Sequence, residues 1–181
     1  MYFKGKLLFI LILLFGNITD IDSKYEFTNI KCNTKDKNFL EFEYCYIKSV
    51  NRSYKYISLK TNIHQLPIND AIGNLQMLRR FRSYMPITMN VTVDVCKYMA
   101  SKKNTGNPML RLYEEVSKKY SNYNHKCPYD HDIEIEKLPI QDMNKYFTDI
   151  LPLPVGDYAF YSSWYIKGIE RATVWIYSTI S

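Results

Sequence analysis

The most regular pattern in the chain is "ITMNVTVDVC", residues 87–96. Ile87, Met89, Val91, Val93 and Val95 fall on one side of an alternation, and Thr88, Asn90, Thr92 and Asp94 on the other. A period of two marks a strand with one face buried and one in water. The same period recurs upstream, where Leu40, Phe42, Tyr44 and Tyr46 alternate with Glu41, Glu43 and Cys45, and where Tyr54 and Tyr56 alternate with Lys55 and Ile57. Downstream, Ile133 and Ile135 oppose Asp132, Glu134 and Glu136. "DYAFYSSWYIK" and "RATVWIYSTIS" read as a closing hairpin through Gly168. One segment switches to helical spacing. Asn107 is an N-cap, Pro108 the first helical residue, and Met109, Leu112, Tyr113, Val116 and Tyr120 form one apolar stripe, so a helix is predicted near 108–121. About eight short strands with one inserted helix predict a mainly β, two-sheet, immunoglobulin-like sandwich.

The first residues set the compartment. Lys4 and Lys6 precede an unbroken apolar run, Leu7–Phe15, and then the polar stretch "GNITDIDS". This is the layout of a secretory signal peptide, assigned to residues 1–23, with cleavage after Gly16 or Ser23. The run is shorter than the roughly 20 residues a membrane span needs. The rest, 24–181, is expected to be one secreted, extracellular domain without a membrane span. A net charge of +6 suits anionic membrane surfaces or acidic partners, but it also suits an ordinary lysine-rich surface, the reading taken here. The densest basic cluster, "LRRFR" at Leu78–Arg82, is short, and no nucleic-acid partner is expected.

Secretion changes how the cysteines and asparagines read. Four cysteines, Cys32, Cys45, Cys96 and Cys127, imply two disulfides, and spacing alone does not choose among the three pairings. Sequons lie at Asn51 and Asn90, with a third at Asn17 on the signal boundary. Asn90 is on the polar side of its strand, where a glycan has room. "NYNHKCPYDHDIEIE", residues 122–136, gathers His125, Cys127, Asp130, His131 and Asp132 and resembles a metal or acid–base knot. A disulfide at Cys127 removes its thiolate, His64 is distant, and the acidic row is what an edge strand shows to water. No metal and no cofactor are expected. The chain lacks a nucleophile elbow, an H-E-x-x-H helix, a P-loop and a dinucleotide glycine fingerprint, so an enzyme is not expected.

Four blocks carry a resemblance: "FTNIKC" (27–32), "VTVDVCKYM" (91–99), "NHKCPY" (124–129) and "LPVGDY" (153–158). Together they resemble an insect family of small secreted proteins of unknown function. That family in turn is similar to the ML-type lipid-recognition fold of ganglioside activators, sterol carriers of the Niemann–Pick type C kind and mite allergens. The resemblance implies a Cys96–Cys127 disulfide, the second cysteine being followed by Pro128. The late cysteine usual in that fold is missing here, which leaves Cys32 and Cys45 to each other. It also implies a carrier or presenter of a lipid or hydrocarbon, with a chemosensory link in some relatives. Inward positions expected to line its pocket are Phe42, Tyr44, Met89, Val91, Val93, Tyr158, Phe160 and Trp164, with strand register open. The competing expectation is an extracellular protein-binding module with a filled core.

Overall fold

The computed structural model describes residues 23–101 and 106–181. The predicted signal peptide, apart from Ser23, and the Asn17 sequon lie outside them. Eight strands form two antiparallel sheets. These are β1 (Tyr25–Thr34), β2 (Leu40–Ser49), β3 (Lys55–Ile63), β4 (Ile72–Arg80), β5 (Tyr84–Asp94), β6 (Glu134–Pro139), β7 (Gly156–Ile166) and β8 (Ile169–Ile180). The larger sheet has the order β1-β8-β7-β4-β5 and the smaller β2-β3-β6. The fold is the β-sandwich that the alternation predicts. β7 and β8 form the closing hairpin, turning through Lys167 and Gly168, where Gly168 takes φ 71°.

Among the described residues three helices decorate the sheets. The predicted one is α2, Pro108–Tyr120. Asn107 caps it, with Oδ1 accepting the N–H groups of Met109 at 2.9 Å and Leu110 at 3.3 Å. Its apolar stripe is buried from Met109 to Val116 and half-buried at Tyr120, and it packs against β5 and β6, edge strands of different sheets. Two further helices were not legible as such. α1, Val95–Ser101, follows β5 without a loop, because the Asp94 carboxylate accepts the Lys97 N–H at 3.0 Å and starts a helix there. Val95, grouped above with the strand, is therefore its first helical residue. α3, Ile140–Lys145, runs on into a π-helical turn, Tyr146–Ile150. It buries Ile140, Met143, Tyr146 and Phe147 over one end of the sandwich, where Phe147 stacks on Tyr25 at 5.1 Å.

A β-bulge alters one face. In β2 the ladder slips between Phe42 and Tyr44, so Phe42 pairs with Thr61 but Tyr44 with Lys60. One extra residue inverts every later side chain. Leu40 and Phe42 point inward, then Cys45 and Ile47 do, while Tyr44 and Tyr46 turn out. The four residues read as one face belong to two. The inward turn of Cys45 brings it to Cys32 of β1, and the resulting disulfide (Cα–Cα 6.2 Å) joins the two sheets along one seam. A second disulfide, Cys96–Cys127 (Cα–Cα 5.4 Å), ties α1 to the segment before β6. Both pairings are those the resemblance implies.

Candidate functional site: an apolar cavity between the sheets

A cavity of about 210 Å³ lies between the two sheets. Its floor is the inner face of the large sheet, including Leu75, Phe160, Trp164, Ala172 and Ile176. Its roof is Phe42 and the inward residues of β3, with Ile135 and Leu138 from β6. Leu112, Tyr113 and Val116 of α2 close one side, and Met143 and Phe147 close an end. Gly73 of β4 gives the Trp164 indole its room, since a Cβ there would sit 3.0 Å from the ring.

The lining contains little polarity, and several of its polar groups are already bonded within the protein. Thr61 Oγ1 donates to the Ile133 carbonyl at 3.1 Å and accepts the Ile133 N–H at 3.0 Å. Ser162 Oγ accepts the Trp164 indole N–H at 3.0 Å. Tyr129 donates to backbone carbonyls of the neck, within reach of both Tyr123 O at 3.2 Å and His125 O at 3.1 Å. Burial disfavours the charged form and raises the pKa of every lining phenol. Tyr129 is pushed up to about 12, and Tyr25, Tyr113 and Tyr123 are also held above the ordinary tyrosine value. The phenols are therefore uncharged at neutral pH, and no Asp, Glu, His, Lys or Arg lines the cavity among the described residues.

Of the residues expected to form a pocket, Phe42, Phe160 and Trp164 line the cavity. Five do not. Tyr44 is turned outward by the bulge and donates its hydroxyl to Glu134. Met89, Val91 and Val93 do point toward the core, but β5 is the edge strand, and they pack at the margin where α2 covers it. Tyr158 is buried one inward position beyond Phe160, beneath Arg79, with its hydroxyl on the Pro154 carbonyl at 2.6 Å. Much of the lining comes from positions not singled out by sequence, notably Leu59, Thr61 and Ile63 of β3. Their signal was present in "YISLKTNI", where Ile57, Leu59, Thr61 and Ile63 alternate inward.

The histidine-rich stretch resolves into a neck. Cys127 is bonded to Cys96, and Asp132 Oδ1 accepts the Ile63 N–H at 2.6 Å. His125 and His131 meet with their Nε2 atoms 2.9 Å apart, both rings beside Tyr129. Among the described residues no group of three or more His, Cys, Asp or Glu side chains is placed to hold a metal ion. Nor is any helix long and apolar enough to cross a membrane.

Both sequon asparagines lie on the surface. Asn90 is exposed on the outer face of β5, opposite Gln76. Asn51 caps the β2–β3 turn, its Oδ1 accepting the N–H groups of Ser53 at 2.9 Å and Tyr54 at 2.8 Å. No curated protein matches the chain. Residues 73–160, from the middle of the large sheet through the neck to Phe160, match a family described as a protein of unknown function (DUF1091).

Proposed function

We propose that the chain is a secreted, non-catalytic carrier of an apolar ligand held between its two sheets. The single observation behind this reading is the 210 Å³ cavity, whose lining is apolar but for a few hydroxyls and holds no charged side chain among the described residues. An apolar cavity of about 150 Å³ stays dry and takes up benzene, so this one has room for on the order of eight carbons. At about 0.8 kcal/mol per buried methylene, such a ligand gains about 6 kcal/mol before the costs of association. That corresponds to reversible binding in the range of tens of micromolar or weaker. A longer chain requires the sheets or α2 to move apart. The resemblance to the ML-type lipid-recognition fold points the same way, as do the signal-peptide layout and the two disulfides, which suit an oxidising compartment.

Native mass spectrometry of protein secreted from eukaryotic cells, followed by titration with a series of alkanes and fatty acids from about six to eighteen carbons, tests the proposal. Bound apolar species, or saturable binding with an optimum in chain length, supports it. Ligand-free protein that binds none of the series overturns it in favour of a protein-binding module. That second reading has its own observation: rows of aromatic side chains on both outer faces. Tyr44, Tyr46, Tyr56 and Tyr54 run across the small sheet with neighbouring centroids 5.7–6.4 Å apart.

A further inference from the structure

The β4–β5 hairpin carries the short basic cluster that had no role in the reading above. Three of the most exposed large apolar side chains meet there: Phe81 at 66%, Met85 at 55% and Val155 at 59%. Single exposed apolar residues are ordinary on soluble proteins, but these are held together by a framework. The turn closes with the Phe81 N–H on the Ser83 carbonyl at 3.0 Å. Arg79 donates through Nη2 to the Val155 carbonyl at 2.9 Å, and its guanidinium lies 5.5 Å from the Phe81 ring. It thereby fixes the Val155 loop beside the hairpin tip. Met85 faces Arg79 across the ladder. Gly156, at φ 153°, permits this approach, since a Cβ there would stand 3.3 Å from Arg79 Nε.

The charges are interleaved with the apolar groups. Residues 79–85, "RRFRSYM", contain three arginines and no acid. The nearby acid is Asp157, 3.6 Å from Arg80. Arg82 is exposed at the tip and makes no ion pair among the described residues. Behind the tip the outer face is aromatic, with Tyr84 5.4 Å from Tyr177 and Tyr177 6.0 Å from Trp175. Apolar tips flanked by arginines and backed by Tyr and Trp suit the boundary between lipid headgroups and acyl chains. There long cations reach phosphate while apolar groups enter the hydrocarbon.

We propose that this finger docks the protein end-on to an anionic phospholipid surface. Phe81, Met85 and Val155 enter the boundary, and Arg79, Arg80 and Arg82 meet lipid phosphates. The inference does not depend on what the cavity holds. The finger does stand at the end of the sheet next to it: Tyr158 under Arg79 is followed inward along β7 by the lining residue Phe160.

Vesicle flotation of the secreted, disulfide-bonded protein tests the docking. The probes are phosphatidylcholine vesicles with and without about 30% phosphatidylserine, at about 0.05 and 0.5 M salt. Binding is expected only to the anionic vesicles and falls at high salt. Phe81→Ser with Met85→Ser lowers partitioning about tenfold or more, and Arg82→Glu about fivefold or more. Val50→Ser, at an equally exposed residue (57%) in the β2–β3 turn, leaves it unchanged. Near-ultraviolet circular dichroism confirms folding of each variant. Apolar-probe binding in vesicle-free solution, unaltered in the finger variants, separates this result from the fate of the cavity proposal. Binding that is equal on neutral and anionic vesicles, absent from both, or indifferent to the finger substitutions overturns the inference.

Discussion

Ala172→Leu separates an empty cavity from a filled core by the sign of its effect. Ala172 lies on β8, is 4% exposed, and lines the cavity opposite Trp164. Leaving 210 Å³ empty costs about 5 kcal/mol at roughly 24 cal/mol per Å³. Leucine places three more carbons in that space, worth about 2.4 kcal/mol of apolar burial. Fixing its rotamer returns about 0.5–1 kcal/mol, so the net stabilisation is about 1.5 kcal/mol. For a chain of this size that raises the Tm by about 3–6 °C. In a close-packed core the same substitution overpacks and costs about 1–3 kcal/mol, lowering the Tm. The assay is calorimetric melting of delipidated protein, with affinity for an eight-carbon probe measured alongside. The expected result is a higher Tm together with weaker probe binding. A second filling substitution at a separate point of the lining, Ala71→Val, guards against local strain and is expected to act with the same sign and a smaller size. Lower Tm values for both variants, with probe binding intact, refute the cavity argument.

Four further outcomes follow from the structure. Opening the Cys96–Cys127 loop, with a sequence separation of 31, is expected to cost about 3.7 kcal/mol, and opening Cys32–Cys45, with a separation of 13, about 2.9 kcal/mol. Secretion yield of Cys127→Ser should fall well below that of His125→Ala. Of the two tryptophans, Trp164 lines the cavity and Trp175 sits on the outer face, so a bound apolar probe should shift indole emission in the parent and in Trp175→Phe but not in Trp164→Phe. Peptide mapping of protein secreted from eukaryotic cells should find a glycan on Asn90. Finally, Tyr25, Tyr113, Tyr123 and Tyr129 ionise higher in the folded state than the ordinary 10.0, Tyr129 at about 12. The stability they add is present below pH 10 and lost as pH rises through about 12. Tyrosinate absorbance should therefore rise in two phases, the second coincident with unfolding.

What the sequence revealed, and what it hid, follows physical lines. The β5 alternation and the Asn107–Pro108 start of α2 are local signals, and local structure obeys them. The inward face of β2 is not legible past Phe42, because a bulge at Glu43 needs only one unpaired residue and nothing in "FEYCY" distinguishes an inward tyrosine from an outward one. Met89, Val91 and Val93 share the inward face of β5 but pack at its margin. Periodicity tells which side of a strand is apolar, not whether the strand is central or an edge. α3 did carry a helical signal, with Ile140, Met143 and Phe147 at spacings of three and four, obscured by the strand just before it. Empty space leaves no mark at all in composition, since a lined cavity and a filled core use the same side chains.

The cavity has a cause in the unequal layers. Three strands cannot cover five, and the uncovered margin at β5 falls to α2. A helix with its side chains is about 10–12 Å across, as thick as the usual gap between packed sheets, so lying between β5 and β6 it keeps those edges from closing. The opposite edge is drawn together by Cys32–Cys45. Inner side chains near that seam meet, and those nearer α2 meet the helix. Between them the lining is mostly apolar, with Thr61, Ser162 and Tyr129 bonded within the protein, so water finds few partners there. Such a space is stable only as a void or around an apolar guest. The energetic cost of leaving it empty is the same quantity that a guest recovers on binding.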